Sequence, residues 1–320
     1  MCRRCESLIK AIDAYIAKKD DDLADALDNE GYAVPKKTLK AARQIEDEVA
    51  EALMEETDYF LSKINSSFDL ETFAKNVWPG VMLNDELAVK LTDIFKERFT
   101  EFMPGIIEVY LQKTDKELTL ESVSKVTTGW IDSWSQQLGD LMQLTSHEEL
   151  QHILDKGLEN GDDIAAFTRA IMDSGIRDEY YRARTTALTE VLRAHSVAQQ
   201  EAFMQSPVVA GKIWRHSGAY KIEPRQNHVD MDGTRVPKDE PFILIGADGE
   251  TYYPMYPRDP ILPPGESINC HCIEEPDVDE KVLGLSLEER KALQQQAIDE
   301  MDDEWEKELD AQNRAKAGIE

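Results

Sequence analysis

Apolar residues recur every three to four positions over long stretches of this chain, a period that predicts helix. Leu8, Ile9, Ile12, Ile16 and Leu23 mark a first helix over 7–27, closed by Asn29-Glu30-Gly31-Tyr32. Leu39, Ala42, Ile45, Val49, Leu53 and Phe60 form the stripe of a long helical run from Pro35 to Ile64. Glu46, Asp47, Glu48, Glu51, Glu55 and Glu56 load its other side, which reads as a solvated face. Asn65-Ser66-Ser67 and Trp78-Pro79-Gly80 read as breaks, and 85–112 as a helix with a kink or stop at Met103-Pro104-Gly105. Trp130 and Trp134, one turn apart, share a face with Leu138 and Leu141 and read as core. Ser146-His147-Glu148-Glu149 has capping-box spacing and predicts a helix start there, with its end near Asn160-Gly161. A short helix to Asp173 follows. Another spans 177–204, with Leu188, Val191, Leu192, Ala198 and Ala202 on its apolar face.

From Val208 the period changes. Lys212–His216 reads as a short strand. Asp232-Gly233 is a turn dipeptide, so Gln226–Met231 and Thr234–Val236 are expected to form a hairpin. Phe242–Ile245 is a second short apolar run. Pro254, Pro257, Pro260, Pro263 and Pro264 predict an extended, stiff crossing that leads to Ile268–Cys272. Beyond Pro276 the chain is acidic and helical, with a second capping box at Ser286-Leu287-Glu288-Glu289. This segment is expected to be a solvated tail that orders against a partner. The resulting class is α+β: a mainly helical region at 1–175, a β-containing, Pro-rich module at 176–276, and an acidic helical tail at 277–320.

Charge narrows the functions available. The formal net charge of −28 repels nucleic acid and anionic lipid. Between Lys212 and Lys238 six basic residues face three acids, a local excess that suits acidic helices of this chain or a partner better than DNA. No apolar run approaches the ~20 residues of a membrane span. Met1-Cys2-Arg3-Arg4-Cys5 leads into amphipathic helix, not into the apolar core of a signal peptide. The expected setting is a reducing cytoplasm, where four cysteines serve as thiols or metal ligands.

The chemistry concentrates between Trp214 and Cys272. In a strand, Cys270 and Cys272 point to one side and His271 to the other. Two thiolates on one face suit tetrahedral zinc if two more ligands arrive. His228 is the first candidate and His216 the second. Cys2 and Cys5, spaced Cys-x-x-Cys, offer a different closure. The competing reading makes the cysteines a buried pair of small hydrophobes bracing the Pro-rich segment. Arg225 and His228 could also serve phosphodiester cleavage, one holding charge and the other moving protons. Against that, Arg225 is expected to pair with Glu190 or Asp230, and His228 to bond backbone within the hairpin.

The stretch from about Arg182 to Cys272 resembles the phage Mu protein F-like head morphogenesis family. The resemblance rests on Ala187-Leu188-Thr189-Glu190-Val191 with Arg193-Ala194 in an Ala-rich helix, and on Trp214 in the strand. It continues through Arg225-Gln226-Asn227-His228, Met231-Asp232-Gly233 and Phe242, and closes on Ile268-Asn269-Cys270-His271-Cys272. Two positions depart from the family's pattern: Leu188 and His271 stand where it commonly has Arg. An Asp common soon after the Trp is also missing at Ser217-Gly218-Ala219. The resemblance implies Glu190, Trp214, Arg225, Asp232, Gly233 and Asn269 as structural motif residues, with no catalytic role. It further implies a minor head (capsid) protein of a tailed bacteriophage, made in the bacterial host cytoplasm and carried in the virion. Its implied partners are the portal protein and the major capsid protein, in head assembly, packaging or ejection. The rival expectation is a metal- or His-dependent nuclease or hydrolase centred on His228 and Cys270/Cys272. A third is a cytosolic metal-stabilised adaptor unrelated to phage.

Overall fold

The computed structural model describes residues 19, 21–65, 67, 69–174, 179–216 and 224–317. Cys2, Cys5 and most of the first expected helix lie outside them. Residues 21–29 are helical and end at Gly31, whose φ of 90° only glycine adopts readily. In chain order the principal elements are α1 (Pro35–Asn65), α2 (Leu87–Thr114), α3 (Lys125–Asn160), α4 (Ile164–Asp173) and α5 (Glu179–Gln205). A short helical run at 70–83, with a π-turn at Phe73–Val77, precedes α2. Then come β1 (Val209–Arg215), α6 (Gln226–Asp230), β2 (Arg235–Pro237), β3 (Leu244–Ile245) and β4 (Thr251–Tyr252). The chain finishes with α7 (Pro264–Ser267), β5 (Ile273–Val278), α8 (Glu280–Leu283) and α9 (Leu287–Lys316). The fold is mainly helical α+β, as the hydrophobic period predicts.

The described residues form two compact units: one drawn from 42–100 and 129–188, the other from those up to 41, 101–128 and those from 189 onward. The first has an apolar, aromatic core. Phe60, Phe73, Trp78, Leu150, Leu154 and Phe167 are buried together, with Phe73 5.8 Å from Phe167 and 5.9 Å from Trp78. The second is built round α5, where every residue from Thr189 to Phe203 is buried. A helix buried on all sides is ordinarily apolar. Here Glu190, Arg193, His195, Gln199, Gln200 and Glu201 are inside, so each needs a partner. Glu201 accepts from the Ser124 amide at 2.9 Å and from the hydroxyls of Ser124 and Thr127 at 2.8 Å. Gln200 donates to the Lys238 carbonyl at 2.8 Å. Lys238 in turn donates to the carbonyls of Met204 and Ser206 at 3.1 and 2.9 Å, satisfying the end of α5.

The sheet order is β2-β1-β5, antiparallel throughout, and β3-β4 is a separate pair. Gly211 sits at the β1–β5 irregularity, where a Cβ would come 2.8 Å from the Val236 carbonyl.

Several local signals are overridden. Ser146 does not start a helix: it is fully buried inside α3, because Leu138, Met142, Leu150 and Leu154 carry the buried stripe straight through it. Pro104 does not stop α2, since Met103, Ile106, Ile107, Tyr110 and Leu111 are buried around it and their burial outweighs one lost backbone bond. Trp78-Pro79 does not break the run: Trp78–Leu83 continues directly from the π-turn, and the Trp78 amide bonds the Phe73 carbonyl. Residues 226–230 are helical, and β2 pairs with β1 instead of closing a hairpin on them. The proline crossing contains one helical turn, α7. The acidic tail is packed within its own unit. Arg290, Gln294, Ile298 and Met301 are buried, and Arg290 binds Asp115 and Glu117, each at 2.6 Å. The capping box at Ser286 and Glu289 is formed.

Candidate metal centre

His228 lies on α6, whose first turn begins at Arg225: the Arg225 carbonyl accepts from the amides of His228 and Val229, each at 3.1 Å. This turns the His228 ring inward, edge-on to the buried Trp214 at 5.8 Å. Asn269 takes a φ of 57°, a left-handed conformation that asparagine tolerates better than most residues. That reversal, closed by the Cys270 amide on the Ser267 carbonyl at 3.2 Å, turns Cys270 and Cys272 into the same interior. Both thiols are free and buried.

The geometry is compact. His228 Nδ1 is 3.6 Å from Cys270 Sγ and 3.6 Å from Cys272 Sγ, and the three ligand atoms lie within 4.8 Å of one another. His216 Nδ1 is 3.7 Å from Cys272 Sγ. His228 Nε2 is 2.8 Å from Glu266 Oε2. Glu266 is itself fixed by the Ala247 amide at 2.8 Å and by Asn227 Nδ2 at 3.1 Å. A carboxylate facing Nε2 puts the ring proton there and leaves the Nδ1 lone pair for the sulfurs.

The electrostatics divide the three groups. The bond from the Cys272 thiol holds Cys270 well below the ordinary thiol range, with help from His228 and Arg258. Cys272 is correspondingly driven up by its bond to Cys270 and by burial. Burial opposes charge on His228, but Cys270 and Glu266 outweigh it and raise its pKa. Two sulfurs and imidazole nitrogen meeting at one point suit a soft, tetrahedral ion such as zinc.

The motif residues surround this point. Trp214 packs against Phe242 at 5.2 Å, in one cluster with Met231, Leu244, Leu262 and both cysteines. Arg225 donates to the Ile268 carbonyl at 2.6 Å, so it fastens the Asn269 turn and does not pair with Glu190 or Asp230. Asp232 Oδ1 accepts from the His216 amide at 3.0 Å. Gly233, with φ 81°, donates to the Trp214 carbonyl at 2.8 Å. Glu190 stands outside the cluster and binds Arg193 at 2.9 Å; Arg193 reaches the Arg258 carbonyl. His228 does not bond backbone through its side chain, as the hairpin expectation required. The helical turn aims it at Glu266 and the thiols instead.

Two residues escape the sequence reading. Arg258, 1% exposed with φ 68°, donates to the carbonyls of Cys270 and Cys272 at 2.8 and 2.9 Å and to Leu192 at 3.1 Å. It fastens the cysteine loop to α5. Glu266 orients His228. An acid in the first turn after Pro263-Pro264 is a recognisable helix-start signal, which the expectation of an unbroken extended crossing concealed.

The profile described as "Phage Mu protein F like protein" matches residues 148–274. The chain is also 35% identical over 311 residues to "Uncharacterized protein YqbB" of Bacillus subtilis (strain 168), covering 93% of this chain and 99% of that protein. No solved structure matches. The matched segment contains the whole cluster and its braces, and the similarity to the relative runs nearly end to end. The chain therefore belongs to the phage Mu protein F-like family, whose theme is phage head morphogenesis.

Proposed function

We propose that this protein is a structural minor head protein that joins the portal vertex, with the module around Cys270 and Cys272 serving as a rigid fitting and not as a reaction centre. The observation that carries the reading is the enclosure of the cluster. His228, Cys270 and Cys272 are each no more than 3% exposed. Both ring nitrogens of His228 already face groups of this chain. A histidine placed to move protons for a polymer substrate needs one nitrogen facing that substrate. Family membership supplies the setting. No helix among the described residues is long and apolar enough to cross a membrane. The exposed end of α9, residues 306–316, and the helix faces of the first half of the chain offer the docking surface. The portal protein is the first partner and the major capsid protein the second.

The test is co-expression of the full chain with the portal protein of the same phage, followed by purification of the portal ring. The chain is expected to co-purify in a fixed ratio below one per portal subunit. A portal ring that never retains the chain would contradict the reading. So would hydrolysis of DNA or RNA by the purified chain that disappears in His228→Ala.

A further inference from the structure

We propose that His216, His228, Cys270 and Cys272 form a single tetrahedral zinc site that staples three separate segments of the module. The distances fit. Zinc holds sulfur at about 2.3 Å and imidazole nitrogen at about 2.0–2.1 Å, so the sulfur–nitrogen edge of a tetrahedral site is about 3.6 Å. Three of the four sulfur–nitrogen edges of such a site stand here at 3.6, 3.6 and 3.7 Å; His228, Cys270 and Cys272 already converge, and His216 approaches through Cys272 and closes in on the ion.

The surroundings are those of a metal site. His228 presents Nδ1 to the sulfurs while Nε2 contacts Glu266, the carboxylate–histidine arrangement that fixes the tautomer of a ligating ring. Glu266 is held by Ala247 and Asn227, and Asn227 also donates to the Ile245 carbonyl at 3.0 Å. Asp232 anchors the backbone of His216. The Cys270 and Cys272 carbonyls are both held by Arg258, so the sulfurs are fixed in place. The remaining histidine of the motif is excluded: His271 turns the other way and meets Glu30 at 3.2 Å.

The ligands arrive from the end of β1, from α6 and from the loop before β5. Chain separations of 12 and 42 residues divide them, so an ion at this point closes two loops at once. Because zinc binds only the folded arrangement tightly, its binding free energy adds to the stability of the module. The site stands independently of any role at the portal.

The experiment measures zinc on the full chain, purified without chelator and then stripped and reloaded. One zinc per chain is expected. Cobalt substituted for zinc should give the absorption of a tetrahedral site with two thiolates. Cys270→Ser should abolish loading, and His216→Ala should weaken it at least tenfold. Glu266→Gln should weaken it by about 10–100-fold. His271→Ala and the paired Cys2→Ser/Cys5→Ser variant should leave it unchanged. Circular dichroism identifies any variant that fails to fold, and for such a variant the cobalt spectrum of the unaltered chain decides. Failure of the refolded chain to take up zinc or cobalt would overturn the proposal. So would a four-thiolate cobalt spectrum, or loss of the metal on removing Cys2 and Cys5.

Discussion

The two units of this chain solve the same problem in opposite ways. The unit of residues 42–100 and 129–188 buries phenylalanine, tryptophan and leucine against one another. The unit that carries the cysteines buries Arg258, Lys212, Glu274, His195, Glu201 and Arg290. Apolar burial is strong but weakly directional, so it holds a shape and tolerates exchange of similar volumes. Buried hydrogen-bonded groups add less net stability, yet each requires one geometry and penalises departure from it. The second strategy suits a unit that holds two thiols and the His228 ring at one point.

The largest effect should come from Arg258→Ala. It leaves three buried carbonyls without their donor, and each buried acceptor left unsatisfied costs about 1–3 kcal/mol. Arg258→Lys should recover little, because one ammonium cannot reproduce the fork. Urea unfolding of both variants measures this. The comparison would fail if Arg258→Ala were as mild as a conservative core exchange.

Next is a pH effect confined to the polar unit. Burial drives His195 down to about 3, with the nearby positive charges of Arg258 and Lys113 adding to the shift and the Ala33 carbonyl opposing it. Tyr32 and Tyr110 pack on its ring at 4.9 and 5.3 Å. An unfolded histidine protonates near pH 6.5 and the folded one does not, so stability falls as pH drops from about 6.5 toward 3. His195→Gln should flatten that slope in a thermal-unfolding series. An unchanged slope would show that His195 is not its source.

Smaller effects sharpen the contrast. Phe167→Leu in the aromatic core, though Phe167 is fully buried, should cost about 1 kcal/mol and leave unfolding cooperative. Asn269→Ala should cost about 1–2 kcal/mol through left-handed strain alone, and Asn269→Gly should restore most of it. Equal losses for Ala and Gly would mean that the asparagine side chain, not its backbone, matters.

Much of this was legible in the residues, for physical reasons that can be named. Period-3.6 stripes marked α1, α2 and α5, and the cap at Ser286 and Glu289 formed as its spacing required. Alternation at Cys270-His271-Cys272 separates His271 from the two thiols, and the chain keeps that separation. What stayed hidden depends on partners distant in sequence. Ser146 carries a good local cap signal, but a buried stripe on both sides overrules it. Arg258 and Glu266 look like surface charges in a Pro-rich loop until the fold brings Leu192 and His228 to them. No local pattern announces a buried arginine whose partners are backbone carbonyls.

If the meeting of His228 with the cysteine loop locks the module as one rigid piece, the amides around it open as a unit. Native-state hydrogen exchange on the unaltered chain and on His228→Ala tests it most directly. The amides of Trp214, Gly233 and Cys270, all hydrogen-bonded in the fold, should exchange together and slowly in the unaltered chain. In the variant they should lose protection together, while amides of the other unit, in the part of α3 from 129 to 160, keep theirs. Unchanged protection of those three amides in a folded His228→Ala protein would contradict it.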